Sequence, residues 1–219
     1  GISCGTACSA SYDQGTLVTL DAVSALGSTF SGWSGEGCTG TGTCQVTMDG
    51  ARSVVANFTL GTNVLSVSLA GTGSGSVSSE PAGIACGADC SEDYPYNTLV
   101  TLAAIPDSTS TFDGWSGAGC SGTGVCQVTM DAAKSVTATF TRITYLLTVN
   151  KLGAGSGMVS STPPVINCGA TCTATLVKDS QITLAAAAAS SSTFLGWAGS
   201  CSGTDPCVVT MDSAKSVAA

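Results

Sequence analysis

Cysteine is the residue type in this chain with the widest chemical reach, and it comes in fours. Cys4, Cys8, Cys38 and Cys44 are followed by Cys86, Cys90, Cys120 and Cys126, then by Cys168, Cys172, Cys201 and Cys207. A thiol can be a nucleophile, a metal ligand or half of a disulfide, and the available partners decide which. The chain has no histidine, which removes the Cys-His and Ser-His-Asp arrangements that activate a nucleophile. Structural zinc sites are usually built on Cys-x2-Cys knuckles, whereas the spacings here are Cys-x3-Cys and Cys-x5-Cys. An even count in small, loop-rich units points instead to disulfides made in an oxidising compartment. Cross-pairing within a unit, such as Cys4 with Cys38, would constrain the unfolded chain by about 4 kcal/mol, against about 2 kcal/mol for each short local loop. Geometry pulls the other way, because each pair flanks a glycine-rich tight loop whose ends can meet at disulfide distance. The expected bonds are therefore Cys4–Cys8, Cys38–Cys44 and their equivalents.

Other chemistry is thinner. Asp13, Asp21, Glu36, Asp89, Glu92 and Asp93 could in principle form an acid/base pair, but none recurs in all three quartets. The aspartate that does recur, as Asp49, Asp131 and Asp212, opens a turn, where its carboxylate caps backbone N–H groups. One carboxylate per turn falls far short of the six to eight oxygens that calcium takes. No catalytic, cofactor-binding or metal-binding residue is assigned. An isopeptide crosslink would need a recurring lysine, and Lys134 and Lys215 are matched by Arg52. Asn57-Phe58-Thr59 fits the N-glycosylation pattern but falls within a strand. The serine and threonine density would equally suit O-linked sugars.

What positions these residues is an array. Thr29-Phe30-Ser31-Gly32-Trp33-Ser34-Gly35 returns as Thr111-Phe112-Asp113-Gly114-Trp115-Ser116-Gly117 and as Thr193-Phe194-Leu195-Gly196-Trp197-Ala198-Gly199, with successive tryptophans 82 residues apart. The period divides the chain into repeat one (1–60), repeat two (63–142, complete) and repeat three (145–219, cut short at its C-terminal side). The three tryptophans suggest sugar-stacking platforms, but with 12 aromatic residues in the whole chain a unit of this size has little else large to bury. Phe30, Trp33, Phe112, Trp115, Phe194 and Trp197 are thus expected to be module core.

Strands read clearly. Leu65–Leu69 and Leu147–Lys151 alternate apolar and polar residues. Each is followed by a glycine-rich turn, expected to be a hairpin reversal, and by a second strand around Val77 or Val159. Repeat one has neither strand, so it lacks its leading β-hairpin. Thr16–Leu20, Thr98–Leu102 and Ser180–Leu184 are β-branched-rich strands. The run Ala185–Ala189 has helical propensity, but its counterpart carries Pro106, which is barred from a helix interior, so the expectation is strand end and loop. A closing hairpin runs from Cys44–Met48 to Ser53–Phe58. The fold class is all-β: three small disulfide-stapled modules, β-grasp-like or an Ig-like sandwich.

Composition excludes several functions. Six basic residues against 14 acidic ones, a net charge of -8, argue against nucleic acid and anionic lipid, which need clustered Lys and Arg. No apolar run approaches the 18 or so residues of a bilayer span. Only 9% of residues are charged, against about a quarter in an average soluble domain, so hydroxyls and small side chains cover the surface. The chain opens on Gly1, as a processed product or fragment would, and the period leaves about 26 residues between Ala219 and another copy's Gly1. It therefore reads as a slice of a longer array.

The pattern Pro81-Ala82-Gly83-Ile84-Ala85-Cys86-Gly87-Ala88-Asp89-Cys90, with Phe-x-Gly-Trp-Ser-Gly, the Cys-x5-Cys loop and a closing Val-Thr-Met-Asp-x-Ala-Lys-Ser-Val-Thr-Ala-Thr-Phe, resembles the divergent InlB B-repeats of bacterial surface proteins. The resemblance covers nearly all the chain. Repeat one departs by lacking its leader, and repeat three has Pro163-Pro164-Val165-Ile166 where a glycine is usual. It implies small β modules in secreted or surface-anchored proteins, serving as stalks, adhesins or spacers, with no catalytic residues to carry over. The expected function is a bacterial cell-surface stalk or fibre, its partners neighbouring copies or modules of the same array. The rival is an adhesin with glycan or host-surface sites on module loops.

Overall fold

The alternation read from the sequence becomes strands throughout. A computed structural model describes residues 1–169 and 171–219, with twenty strands and no helix among them. Repeat one supplies β1 (Leu17–Leu20), β2 (Ser28–Ser34), β3 (Cys44–Thr47) and β4 (Val55–Leu60). Repeat two supplies β5 (Thr62–Gly71), β6 (Gly75–Glu80), β7 (Ala85–Cys86), β8 (Ser91–Pro95), β9 (Leu99–Pro106), β10 (Ser110–Ser116), β11 (Cys126–Thr129) and β12 (Lys134–Arg142). Repeat three repeats that order as β13 (Thr144–Asn150), β14 (Gly157–Thr162), β15 (Asn167–Cys168), β16 (Thr173–Val177), β17 (Gln181–Ala188), β18 (Ala198–Gly199), β19 (Cys207–Thr210) and β20 (Lys215–Ala218).

Repeat two is a sandwich of two four-stranded sheets, in the orders β10-β12-β5-β8 and β11-β9-β6-β7. All pairs are antiparallel except β12 with β5, which is parallel. Inward residues of both sheets form one core: Leu65 and Val67 of β5 and Val136, Ala138 and Phe140 of β12 meet Val77, Val100, Leu102 and Val128. Repeat three has the same plan, in the orders β16-β13-β20-β18 and β15-β14-β17-β19, around Leu147, Val159, Ile182, Leu184 and Val217.

The structure corrects the expected connections. The leading strands β5 and β6 are not a hairpin, because they lie in different sheets, and the closing strands β11 and β12 are likewise divided. Each connection is an arch over the end of the sandwich. A period of two fixes which face of a strand is buried but not which neighbour it bonds, so a glycine-rich connection reads alike in an arch and a hairpin. The second correction concerns the alanine run. β17 continues to Ala188 and β9 to Pro106, because their later halves pair with β14 and β6. Pro106 sits opposite Gly75, the last pair of its ladder, where the missing donor is tolerated. In repeat one, the matching residues Asp21–Ala25 have no such partner and form no strand.

Repeat one holds two two-stranded sheets, β1-β3 and β2-β4. Phe140 is 1% exposed, whereas its counterpart Phe58 is 48% exposed. Truncating Phe140 to alanine is expected to destabilise repeat two by about 3–5 kcal/mol. Phe58→Ala should lower the stability of repeat one far less. Denaturant titration of the oxidised chain, read by the tryptophan of each repeat, measures both.

Candidate functional site

In repeats one and two Phe-x-Gly-Trp is a β-bulge. In a regular strand, residues three apart point to opposite faces, yet Phe112 stands opposite Phe140 and Trp115 opposite Ala138, both inward residues of β12. The register slips between Phe112 and Gly114, so Asp113 is the extra residue that brings both rings to the core face. The rings meet edge to face with centroids 5.0 Å apart. In β2 the register slips between Phe30 and Gly32, and Phe30 and Trp33 lie 5.2 Å apart. The Phe194 and Trp197 rings are 5.1 Å apart. The glycine is required: Gly114 has φ 139°, and a Cβ there would lie 2.9 Å from the Gly122 carbonyl oxygen.

That carbonyl belongs to the Cys-x5-Cys loop, which the tryptophan holds from two sides. Its backbone N–H donates to the carbonyl of Gly40, Gly122 or Gly203 at 2.8–2.9 Å. The indole Nε1–H donates to Gly42, Gly124 or Asp205 at 2.7–2.9 Å. Disulfides Cys38–Cys44, Cys120–Cys126 and Cys201–Cys207 close the loops, with Cα atoms 5.3–5.8 Å apart. Cys4–Cys8, Cys86–Cys90 and Cys168–Cys172 close the other loop of each repeat, at 4.3–4.4 Å. In repeat two that second loop joins β7 to β8, across the two sheets. Trp115 and Trp197 are buried and Trp33 is half-buried, so the indoles are taken up by core and loop contacts.

The recurring aspartate makes a contact that the spacing hinted at only through Lys134, Lys215 and Arg52. Asp131 pairs with Lys134 and Asp212 with Lys215, each at 2.6 Å, and Arg52 pairs with Asp49 and, at 2.7 Å, with Glu36. The Lys134 ammonium, donating to Asp131, holds that carboxyl below its ordinary range, as Lys215 and then the Ser213 hydroxyl do for Asp212. Arg52 is raised, first by its bond to Glu36 and then by Asp49. No group of three potential metal ligands occurs among the described residues. A cavity of about 280 Å³ in repeat three is lined by Gly153, Gly157, Phe194 and Ala219. In repeat two the counterparts Gly75 and Phe112 lie against the Phe140 ring, and Gly71 lies against its backbone, so this space belongs to the module interior.

Two features reach beyond a single repeat. The first is the junction, a single residue between strands: Gly61 between β4 and β5, Ile143 between β12 and β13. Gly61 N–H donates to Gly27 of repeat one, and its carbonyl accepts from Tyr96 of repeat two, both at 2.8 Å. Ile143 does the same with Thr109 and Lys178 at 2.8 and 2.9 Å, and the Lys178 ammonium also donates to Ser108 at 2.8 Å. The second is the edge of repeat one. β12 is flanked by β10 and β5, whereas β4 is flanked by β2 alone; β9 is flanked by β11 and β6, whereas β1 has only β3.

The profile of the divergent InlB B-repeat domain matches residues 2–62, 65–144 and 147–219. No curated protein matches the chain. Among solved structures the chain is similar to the Bacillus anthracis TIE protein, at 8% identity and a TM-score of 0.44, over 83% of this chain and 37% of that one. The chain thus spans well under half the length of that protein.

The turn ion pairs carry a pH dependence. A carboxyl depressed in the folded state stabilises it above the unfolded-state value near 4 and loses that contribution as pH falls through the lower folded value. Both carboxylates are exposed, so the effect should be small and weakened by salt. Melting temperatures between about pH 4.5 and 2 should fall more for the native chain than for a Lys134→Met, Lys215→Met variant.

Proposed function

The chain belongs to the divergent InlB B-repeat family, and from that premise we propose that it is a segment of a non-catalytic stalk or fibre on a bacterial cell surface. The observation that carries this reading is the junction. A flexible string of domains would need linkers of several free residues, whereas here one residue joins successive strands and is hydrogen-bonded to the repeats on both sides. Such junctions suit a stiff spacer. Six disulfides suit an oxidising, extracellular setting. Burial of Trp115 and Trp197 supports a spacer over a sugar-stacking adhesin, because it leaves no row of three open aromatic faces.

The edge of repeat one supports a finer proposal. Unpaired sheet edges accept strands, and β4 and β1 present theirs in the positions where repeats two and three hold a leader. We propose that this edge takes a leader-type segment, two alternating strands joined by a glycine-rich arch, from continuous chain or from a neighbouring copy.

Treating intact producing cells with a membrane-impermeant protease is expected to remove the repeats; protection until the cells are lysed would sink the surface reading. A peptide of residues 62–80 should slow amide exchange in β4 and β1 of the purified chain. No slowing at saturating peptide would remove strand complementation. Concentration-dependent filaments of the chain alone would assign the donor to a neighbouring copy, and a persistent monomer would assign it to continuous chain.

A further inference from the structure

The parallel pair that seals each sandwich is also the point where the chain enters and leaves it. β5 is the first strand of repeat two and β12 the last. They lie side by side over seven register pairs, from Leu65 with Lys134 to Gly71 with Phe140. Because the strands run parallel, the entering end of β5 and the leaving end of β12 lie at opposite ends of the pair. Tension on the flanking chain therefore drags the two strands along their lengths in opposite directions. The hydrogen bonds of a ladder cross between strands, so this load falls on all of them together. A hairpin pulled at its open end instead loses its bonds one at a time.

Nothing relieves the pair earlier. The strands from β6 to β11 lie between β5 and β12 in the chain and carry no load until these part. Both strands are interior to their sheet, flanked by β8 and β10. On the core side Leu65, Val136 and Ala138 are fully buried, so water cannot replace a stretched bond from that face. The pair is also latched at its leaving end, where Gly73 N–H donates to the Phe140 carbonyl at 2.9 Å. The one-residue junctions at Gly61 and Ile143 deliver tension straight into these strands.

The disulfides do not bridge the pair. Cys86–Cys90 and Cys120–Cys126 close separations of 4 and 6 residues, both behind it. They leave the module free to extend after the strands slide, and they keep two loops closed for refolding.

We infer that each complete repeat is a reversible mechanical clamp, loaded in shear between its first and last strands, which yields under tension and re-forms. The source of tension rests on the stalk reading; the clamp itself rests on the strand order. In this chain repeat three has four parallel pairs, Leu147 with Lys215 to Asn150 with Ala218. It should yield before repeat two. Repeat one, whose β4 has only its antiparallel partner β2, should yield at the lowest force.

The test is single-molecule extension of the oxidised chain, with handles attached through click-reactive residues that leave the cysteines untouched. Pulled from its two ends, the chain should show repeat two rupturing at the highest force and repeat three at a lower one. Reduction should lengthen the extension released by repeat two by about 25 Å. Val67 N–H donates to Cys90 on the β8 side, so the next N–H, that of exposed Ser68, faces β12. Ser68→Pro should lower the force of repeat two several-fold and leave repeat three unchanged. Pulling the native chain between Thr62 and Pro95, which are paired across the β5–β8 ladder, unzips that ladder and should need several-fold less force, independently of how the variant folds. Equal forces in the two directions, or no force peak for repeat two, would overturn the clamp. Either result leaves the stalk reading to the surface-protease experiment.

Discussion

The arrangement of repeats two and three depends on one contact, the parallel pairing of the first strand with the last. Without β5 between β12 and β8, the first sheet of repeat two would divide and Phe140 would lose the Gly71–Gly75 arch that covers its ring. Repeat one shows the same sequence pattern without that partner. Phe58 is half-exposed, Leu20 and Val18 are only partly buried against fully buried Leu102 and Val100, and Asp21–Ala25 forms no strand. Hydrophobic patterning prepares the faces, but burial follows only when a strand from the far end of the unit closes over them. Such a contact joins residues far apart in sequence and incurs a large loop-closure entropy. The local disulfides lessen that cost by holding two of the intervening loops closed before the ends meet.

Strand positions were legible in the sequence because a half-buried strand must alternate, and Leu65–Leu69 or Thr98–Leu102 can be read no other way. Strand partners were not. The arches at Gly71–Gly75 and Met130–Ala133 use the same small and turn-forming residues as hairpins do. What separates the two is whether the flanking strands lie in one sheet or two, and alternation is silent on that. The extent of strand in the polyalanine stretch was hidden for a related reason: it is set by pairing with β14 and not by local propensity.

The Phe-x-Gly-Trp motif carried a signal that was present but unread. Two core aromatics three residues apart contradict the alternation of a strand, and the contradiction is resolved by inserting one residue next to a glycine. An aromatic pair at odd spacing around Gly, in an otherwise alternating segment, marks such a bulge. The turn ion pairs were legible only in part. Asp was recognisable as a turn opener, but that its carboxylate would lie against the cation three residues later depends on how tightly that turn closes.

The single-residue junction also bears on how such a protein changes over generations. Gly61 and Ile143 each belong to two repeats at once, through one hydrogen bond to each side. Adding or deleting one residue there would turn the next leader strand over, presenting its polar face to the core. At these junctions the tandem can therefore gain or lose a whole repeat but not a single residue. Reach becomes a quantity that varies in integer steps of one repeat.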